Sequence, residues 1–260
     1  MADPKTLDWK EIGELNKQYS QAHPEQIVSW AVESGLRIGL ASSFSAEDTA
    51  LIHMLHSAIV KGAPDSVRVH VFYLETGRLH EETLQTLDEC KKQFPLLTFQ
   101  GYFPQRQSVE DLLNQKGAFS FYESIENRKE CCFVRKVEPL NRALSELDGW
   151  ITGLRQAQSP TRAQVPVFQT DVDHGGILKL NPLSAWSEDE LYDYIGKNHV
   201  PLNPLHNQGF PSIGCSPCTR AIKPGEDIRA GRWWWESPEH KECGLHAPGE
   251  KTEGSQVLRP

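Results

Sequence analysis

Apolar positions near the start of the chain recur at helical spacing. Leu7, Ile12, Leu15 and Tyr19 make one face, and Pro24 opens a second helical stretch carrying Ile27, Trp30 and Ala31. Gly35 stops that stretch, and the period changes: residues 36–41, Leu-Arg-Ile-Gly-Leu-Ala, read as a short strand. A serine-rich turn follows, Ser42-Ser43-Phe44-Ser45-Ala46-Glu47-Asp48, and then a helix over 46–60. Residues 67–74, rich in Val and aromatics, predict a second strand that runs into Glu75-Thr76-Gly77-Arg78. A helix over 80–93 and a strand over 96–102 continue the alternation. Two shorter helical pieces precede an amphipathic helix over 134–147, in which Val134, Val137, Leu140, Leu144 and Leu147 share a face. Pro139 is expected to kink that helix or shift its start. Further strands are expected at 150–154 and 177–180 and a helix at 188–197, with a long polar loop over 155–176. Residues 201–217 and the last forty residues lack periodicity.

Strand and helix alternating at this spacing predict an α/β fold with a doubly wound, mostly parallel sheet and an irregular C-terminal segment. Such sheets bind ligands beyond the carboxyl ends of their strands, where Ser43, Ser45, Thr76 and Gly77 fall. A strand, a serine-rich turn and a helix N-terminus together present hydroxyls and backbone N–H groups to an anion. The plainer reading of the same residues is a helix capped by Ser45, with Asp48 at the third position.

At 260 residues the chain has room for one α/β domain, here taken as residues 1–235, with 236–260 as a mobile tail. A formal charge of −8 argues against nonspecific nucleic-acid binding and points to a small anionic ligand held by a local cationic pocket. No apolar run reaches the ~20 residues of a membrane span, and the N-terminus lacks a secretory pattern, so a cytoplasmic setting is expected. Thiols stay reduced there, and clustered cysteines read as metal or redox sites.

Cys131 and Cys132 are adjacent, and Cys215 and Cys218 form a C-x-x-C on a Gly/Pro-rich turn. Neighbouring cysteines close a strained disulfide ring, so two pairs of this kind suit a four-thiolate metal centre, either an iron–sulfur cluster or zinc. Cys243, in Glu242-Cys243-Gly244-Leu245-His246, is not needed for such a site and remains available as a nucleophile. Cys90 lies on a helical apolar pattern and is expected to be an ordinary helix residue, and the run Trp233-Trp234-Trp235 is expected to pack under an irregular segment.

Taken together, the serine-rich turn, Cys131-Cys132-x-x-Arg135-Lys136-Val137-x-Pro139-Leu140, Gly214-Cys215-x-x-Cys218-Thr219-Arg220 and the Cys243 pentapeptide resemble the assimilatory adenylyl-sulfate reductases. The resemblance covers nearly the whole chain. It implies a nucleotide-binding domain of the ATP-pyrophosphatase type that reduces adenosine 5′-phosphosulfate to sulfite and AMP, with Cys243 forming an S-sulfonate. It implies a [4Fe–4S] cluster on Cys131, Cys132, Cys215 and Cys218. It also implies substrate contacts from Ser43, Ser45, Thr76, Gly77, Lys136, Arg155, Arg162, Arg229, Arg232 and His246. Glu75 stands where the family commonly carries Asp, which puts its hydrogen bond in question. The reductant is expected to be a separate thioredoxin or glutaredoxin; the oligomeric state, a homo-oligomer included, is left open. A 3′-phosphoadenylyl-sulfate reductase is the alternative within the reaction class, although most of those lack the cluster cysteines. An adenylating ATP-pyrophosphatase is disfavoured, because its Ser-Gly-Gly-x-Asp-Ser loop does not match Ser42–Asp48.

Overall fold

The computed structural model of the protein describes residues 7–62, 69–158 and 164–237. Six strands form one sheet: β1 Ile38–Ser42, β2 Val69–Leu74, β3 Phe99–Tyr102, β4 Gly149–Ile151, β5 Phe168–Asp171 and β6 Ile177–Leu180. Their order is β3-β2-β1-β4-β6-β5, parallel except for the antiparallel β5–β6 pair. The chain winds outward from β1 through β2 and β3, then returns to start β4 on the other side. The order therefore reverses between β1 and β4, and a crevice opens beyond their carboxyl ends.

Strands buried on both faces need apolar residues on both. Ile38 and Leu40 of β1 pack into the larger core with α2 (Pro24–Glu33), α3 (Ala46–Val60) and α8 (Glu188–Lys197). The opposite face receives α7 (Glu138–Leu144), whose Leu140, Ala143 and Leu144 meet Phe72 and Trp150. Contact there is close: a β-carbon on Gly39 would stand 2.6 Å from the Leu147 side chain and 2.8 Å from Phe72. α1 (Trp9–Tyr19) and α8 begin with full capping boxes, Asp8 with Glu11 and Ser187 with Glu190.

Two expectations are corrected. The loop over 155–176 contains β5, an edge strand whose Phe168 and Asp171 are buried while Gln169 and Thr170 are not. The 134–147 helix is not one regular element. The two shorter pieces before it are α5 (Arg106–Lys116) and α6 (Ile125–Cys132), and α6 runs into a π-helical turn, Phe133–Val137, and only then into α7. Pro139 sits in the first turn of α7, where its missing N–H is tolerated and the wider turn before it leaves room for the ring. α4 (Glu81–Gln93) buries Cys90, whose thiol is pushed up to about 12 by burial and by Glu89, so it packs as an inert apolar residue. Among the described residues no helix is long and apolar enough to cross a membrane.

Candidate active site

The crevice between β1 and β4 is a cleft of about 260 Å³. Ser43, Ser45, Thr76, Lys136, Arg155, Arg229 and Arg232 all line it, so residues from five separate stretches of sequence meet there. Gly77 does not line it. Its N–H donates to Glu75 Oε1 at 2.8 Å, which shows what the longer acid does at that position. Arg162, Cys243 and His246 lie outside the described residues.

The turn after β1 satisfies its own donors. Asp48 Oδ2 accepts from the Ser43 N–H (2.6 Å), the Ser43 hydroxyl (2.7 Å) and the Ser45 hydroxyl (3.2 Å). Ser45 is the N-cap of α3, but its side chain makes no cap hydrogen bond; Asp48 draws it inward instead. Phe44, buried against Tyr73, holds φ +58°, a left-handed conformation that costs a non-glycine residue roughly 1 kcal/mol or more. Burial lifts the Asp48 carboxyl to about 6, and the bonds from Ser43 and Ser45 hold it from rising further. The first amide of α3 is taken from outside the turn: Ala46 N–H donates to His206 Nε2 at 3.1 Å, from a segment 160 residues away.

The turn after β4 supplies Arg155, and the structure commits it to Glu47. Glu47 Oε1 accepts from Arg155 Nε (3.0 Å) and Nη2 (2.8 Å) and from Gln158 Nε2 (3.0 Å). Both partners are buried, so this charge is neutralised inside the wall of the cleft. The cationic lining then falls to Lys136, Arg229 and Arg232. Arg232 stacks on Trp233 at 4.7 Å and lies so close to Gly214 that a β-carbon there would displace its guanidinium.

The four cysteines lie near one another, behind the part of the cleft wall that Lys136 and Gly214 form. Cys218 is pushed up to about 12, by burial first and then by Cys215 and Cys132, with Lys136 opposing and Cys131 adding to the rise. Burial also raises Cys131, against Arg135 and Arg78. Cys215 goes the other way. Burial would raise it, but Lys136, the Thr76 hydroxyl, Arg232 and Arg135 together outweigh burial and lower it. The thiols are neighbours without converging on a point: among the described residues no three His, Cys, Asp or Glu side chains are placed to hold one metal ion. Hydrogen bonds fix the C-x-x-C turn, Ser216 N–H to the Arg78 carbonyl (2.8 Å) and the Tyr122 hydroxyl to the Pro217 carbonyl (2.6 Å). Beneath it, Arg128 and Glu236 form a buried bidentate pair at 2.9 and 2.8 Å, with Arg128 also 4.9 Å above the Trp233 ring. Trp233 is buried, as the packing reading of the tryptophan run expects, whereas Trp234 is half exposed.

A family model for the phosphoadenosine phosphosulfate reductase domain matches residues 37–221, which span every strand and most of the cleft. The chain belongs to this family. It is 48% identical over 206 residues to the adenosine 5′-phosphosulfate reductase of Neisseria meningitidis serogroup B, with 79% of this chain and 80% of that one covered. The corresponding reductase of Burkholderia cepacia is 49% identical over 210 residues, covering 81% of this chain and 80% of that one. A solved phosphoadenylyl-sulfate reductase from Candida auris, in a phosphate complex, superposes with a TM-score of 0.69 at 26% identity, covering 84% of this chain and all of that one. An FMN adenylyltransferase from Candida glabrata shares the fold alone, with a TM-score of 0.51 at 14% identity over 89% of this chain and 82% of that one.

Glu47, His206 and Gln158 are the cleft residues that sequence reasoning passed over. Glu47 stands inside the serine-rich motif without any local sign of its partner, and His206 lies in an aperiodic stretch.

Proposed function

We propose that the protein reduces adenosine 5′-phosphosulfate to sulfite and AMP, using a dithiol protein of the thioredoxin or glutaredoxin class as reductant. The observation that carries this reading is the meeting of Lys136, Arg229 and Arg232 in one cleft at the sheet's switch point, in a chain nearly half identical to enzymes of that name. In the proposed reaction the Cys243 thiolate attacks the sulfur of the phosphosulfate. A sulfur–sulfur bond forms, the sulfur–oxygen bond to the phosphate breaks, and AMP leaves with the electron pair. A reductant thiolate then attacks Cys243 Sγ and displaces sulfite. Its second thiol resolves the mixed disulfide, so the dithiol supplies both electrons. Lys136, Arg229 and Arg232 offset the charge that develops on the departing phosphate. His246 is proposed to favour ionisation of Cys243 or to hold a sulfate oxygen, and Arg162 to contact substrate.

The form without a 3′-phosphate is preferred because the relatives nearly half identical to this chain are named for that substrate. Comparing kcat/KM for the two nucleotides checks the choice.

Cys131, Cys132, Cys215 and Cys218 fit a [4Fe–4S] cluster by their chemistry. Four cysteine thiols lying near one another are the donor set such a cluster takes, and the family resemblance favours it over zinc. Arg135 and Lys136 stand beside them to balance thiolate charge. When bound, the cluster would tie the 125–137 and 213–220 segments together and place fixed charge beside the cleft. Iron and acid-labile sulfide are expected in anaerobically purified protein at about four of each per chain; stoichiometric zinc without sulfide contradicts the assignment.

Incubation with adenosine 5′-phosphosulfate in the absence of thiols tests the reaction. A mass gain of one SO₃ on the peptide containing Cys243, absent in C243S, is the expected result. Sulfite release by C243S would overturn it.

A further inference from the structure

We propose that His206 is a positioning residue for the nucleotide cleft: as a neutral ring it accepts the Ala46 N–H and holds the Ser42–Asp48 turn, and acid releases that hold. The inference rests on the proposed nucleotide site only for the identity of the ligand. The contact itself is described geometry. Ala46 is the first residue of α3, and the first N–H groups of a helix have no partner within it. Here Nε2 of His206 supplies that partner at 3.1 Å while the ring lines the cleft. A ring nitrogen accepts only when it carries no proton, so the proton of the neutral ring is on Nδ1. That atom is buried and lacks a partner of good geometry among the described residues.

The neighbours of the ring favour the neutral form on balance. Facing it are Glu47 from α3, itself paired with Arg155, and Tyr192 from α8, whose ring centroid stands 6.4 Å away. Burial lowers the histidine's affinity for a proton, while Glu47 and the Phe210 backbone work in the opposite sense, and the net direction is down. The positive end of α3 also opposes a second proton on the ring. A group whose folded-state pKa is depressed in this way loses its contribution as pH falls through that value. Protonation turns the acceptor into a donor that faces the Ala46 N–H.

The consequence reaches the ligand through the backbone. Ala46 follows Ser45 and precedes Glu47 and Asp48, so the amide held by His206 sits between the N-cap and the carboxylate that gathers the serines. Loosening it frees the helix end of the turn to shift, while the Asp48 bonds hold the rest. Nothing else among the described contacts ties the first helical amide.

Glutamine and leucine separate this role from simple packing. Gln reaches about as far as a histidine Nε2 and accepts without titrating, whereas Leu fills space and accepts nothing. AMP affinity and hydrogen exchange of the peptide spanning 43–48 are measured on the holoprotein at about pH 8 and about pH 5.5, the range in which histidine titrates. In H206L, AMP affinity at the higher pH is expected to fall about tenfold and the peptide to exchange faster, as a buried amide left without a partner requires. H206Q is expected to restore both relative to H206L. Asp48 titrates over the same range in every variant, so both proteins are expected to lose some protection and affinity at the lower pH once intrinsic exchange rates are corrected for, and the wild type to lose several-fold more than H206Q. If wild type and H206Q change alike on acidification, or if H206L keeps full protection, the inference fails. If exchange follows the expected pattern but wild type does not bind AMP, the positioning role stands and the nucleotide assignment falls.

Discussion

Arg128→Met is expected to destabilise the protein by about 3–5 kcal/mol, roughly 10 °C in melting temperature for a chain of this size. Arg128 is 1% exposed and its partner Glu236 4%, and both oxygens of the carboxylate are engaged by one guanidinium. Removing the arginine leaves a carboxylate in the interior with its hydrogen bonds lost, which costs far more than a surface pair would. The size of the effect comes from the stranded charge and not from the attraction between the partners. The double variant R128M/E236L, which leaves no buried carboxylate without its guanidinium, is therefore expected to recover much of the loss, short of what the contact of Arg128 with Cys132 contributes. Anaerobic melting curves of wild type, the single and the double variant decide the matter. A single variant within about 1 kcal/mol of wild type would mean the carboxylate finds water, contrary to its burial.

The second large effect falls on turnover. Lys136→Met is expected to lower kcat/KM by about 10² to 10³-fold, the range seen when a group that stabilises developing charge is removed from a dry site. Lys136 lines the cleft and also acts on Cys215 and Cys218, so one ammonium serves both the substrate wall and the thiol cluster. Its loss is expected to appear mainly in kcat, with AMP affinity changed much less, because the charge it offsets is largest as the phosphate departs. Parallel measurement of AMP affinity separates the two. An equal loss in both would make Lys136 a binding residue only, and a loss under threefold would remove it from the site.

The strand–helix alternation carried most of the architecture because each element announces itself within a few residues. Helix Glu188–Lys197 and strand Ile177–Leu180 have the bounds that their periodicity expects. β5 escaped because an edge strand of four residues with polar Gln169 and Thr170 offers no alternation long enough to stand out from a loop. The π-helical turn escaped for a different reason: one extra residue in a helical turn leaves the apolar face of 134–147 nearly in phase. At the site, Ser43, Ser45, Thr76, Lys136, Arg229 and Arg232 were legible through motif resemblance and do line the cleft. What was not legible is pairing. Glu47–Arg155 and Arg128–Glu236 each join residues 108 apart, and Ala46–His206 joins residues 160 apart. Such contacts exist only once the sheet has assembled, and no local pattern encodes them.

The buried clasp between Arg128 and Glu236 also sets a leash. Glu236 is fastened beside the helix that bears Cys132, so everything beyond it departs from a fixed post. Six residues lie between Glu236 and Cys243, and the seven Cα-to-Cα steps that join them span at most about 25 Å. In the reaction proposed above, a nucleophile on a tether of that length meets its substrate at an effective concentration on the order of millimolar or higher.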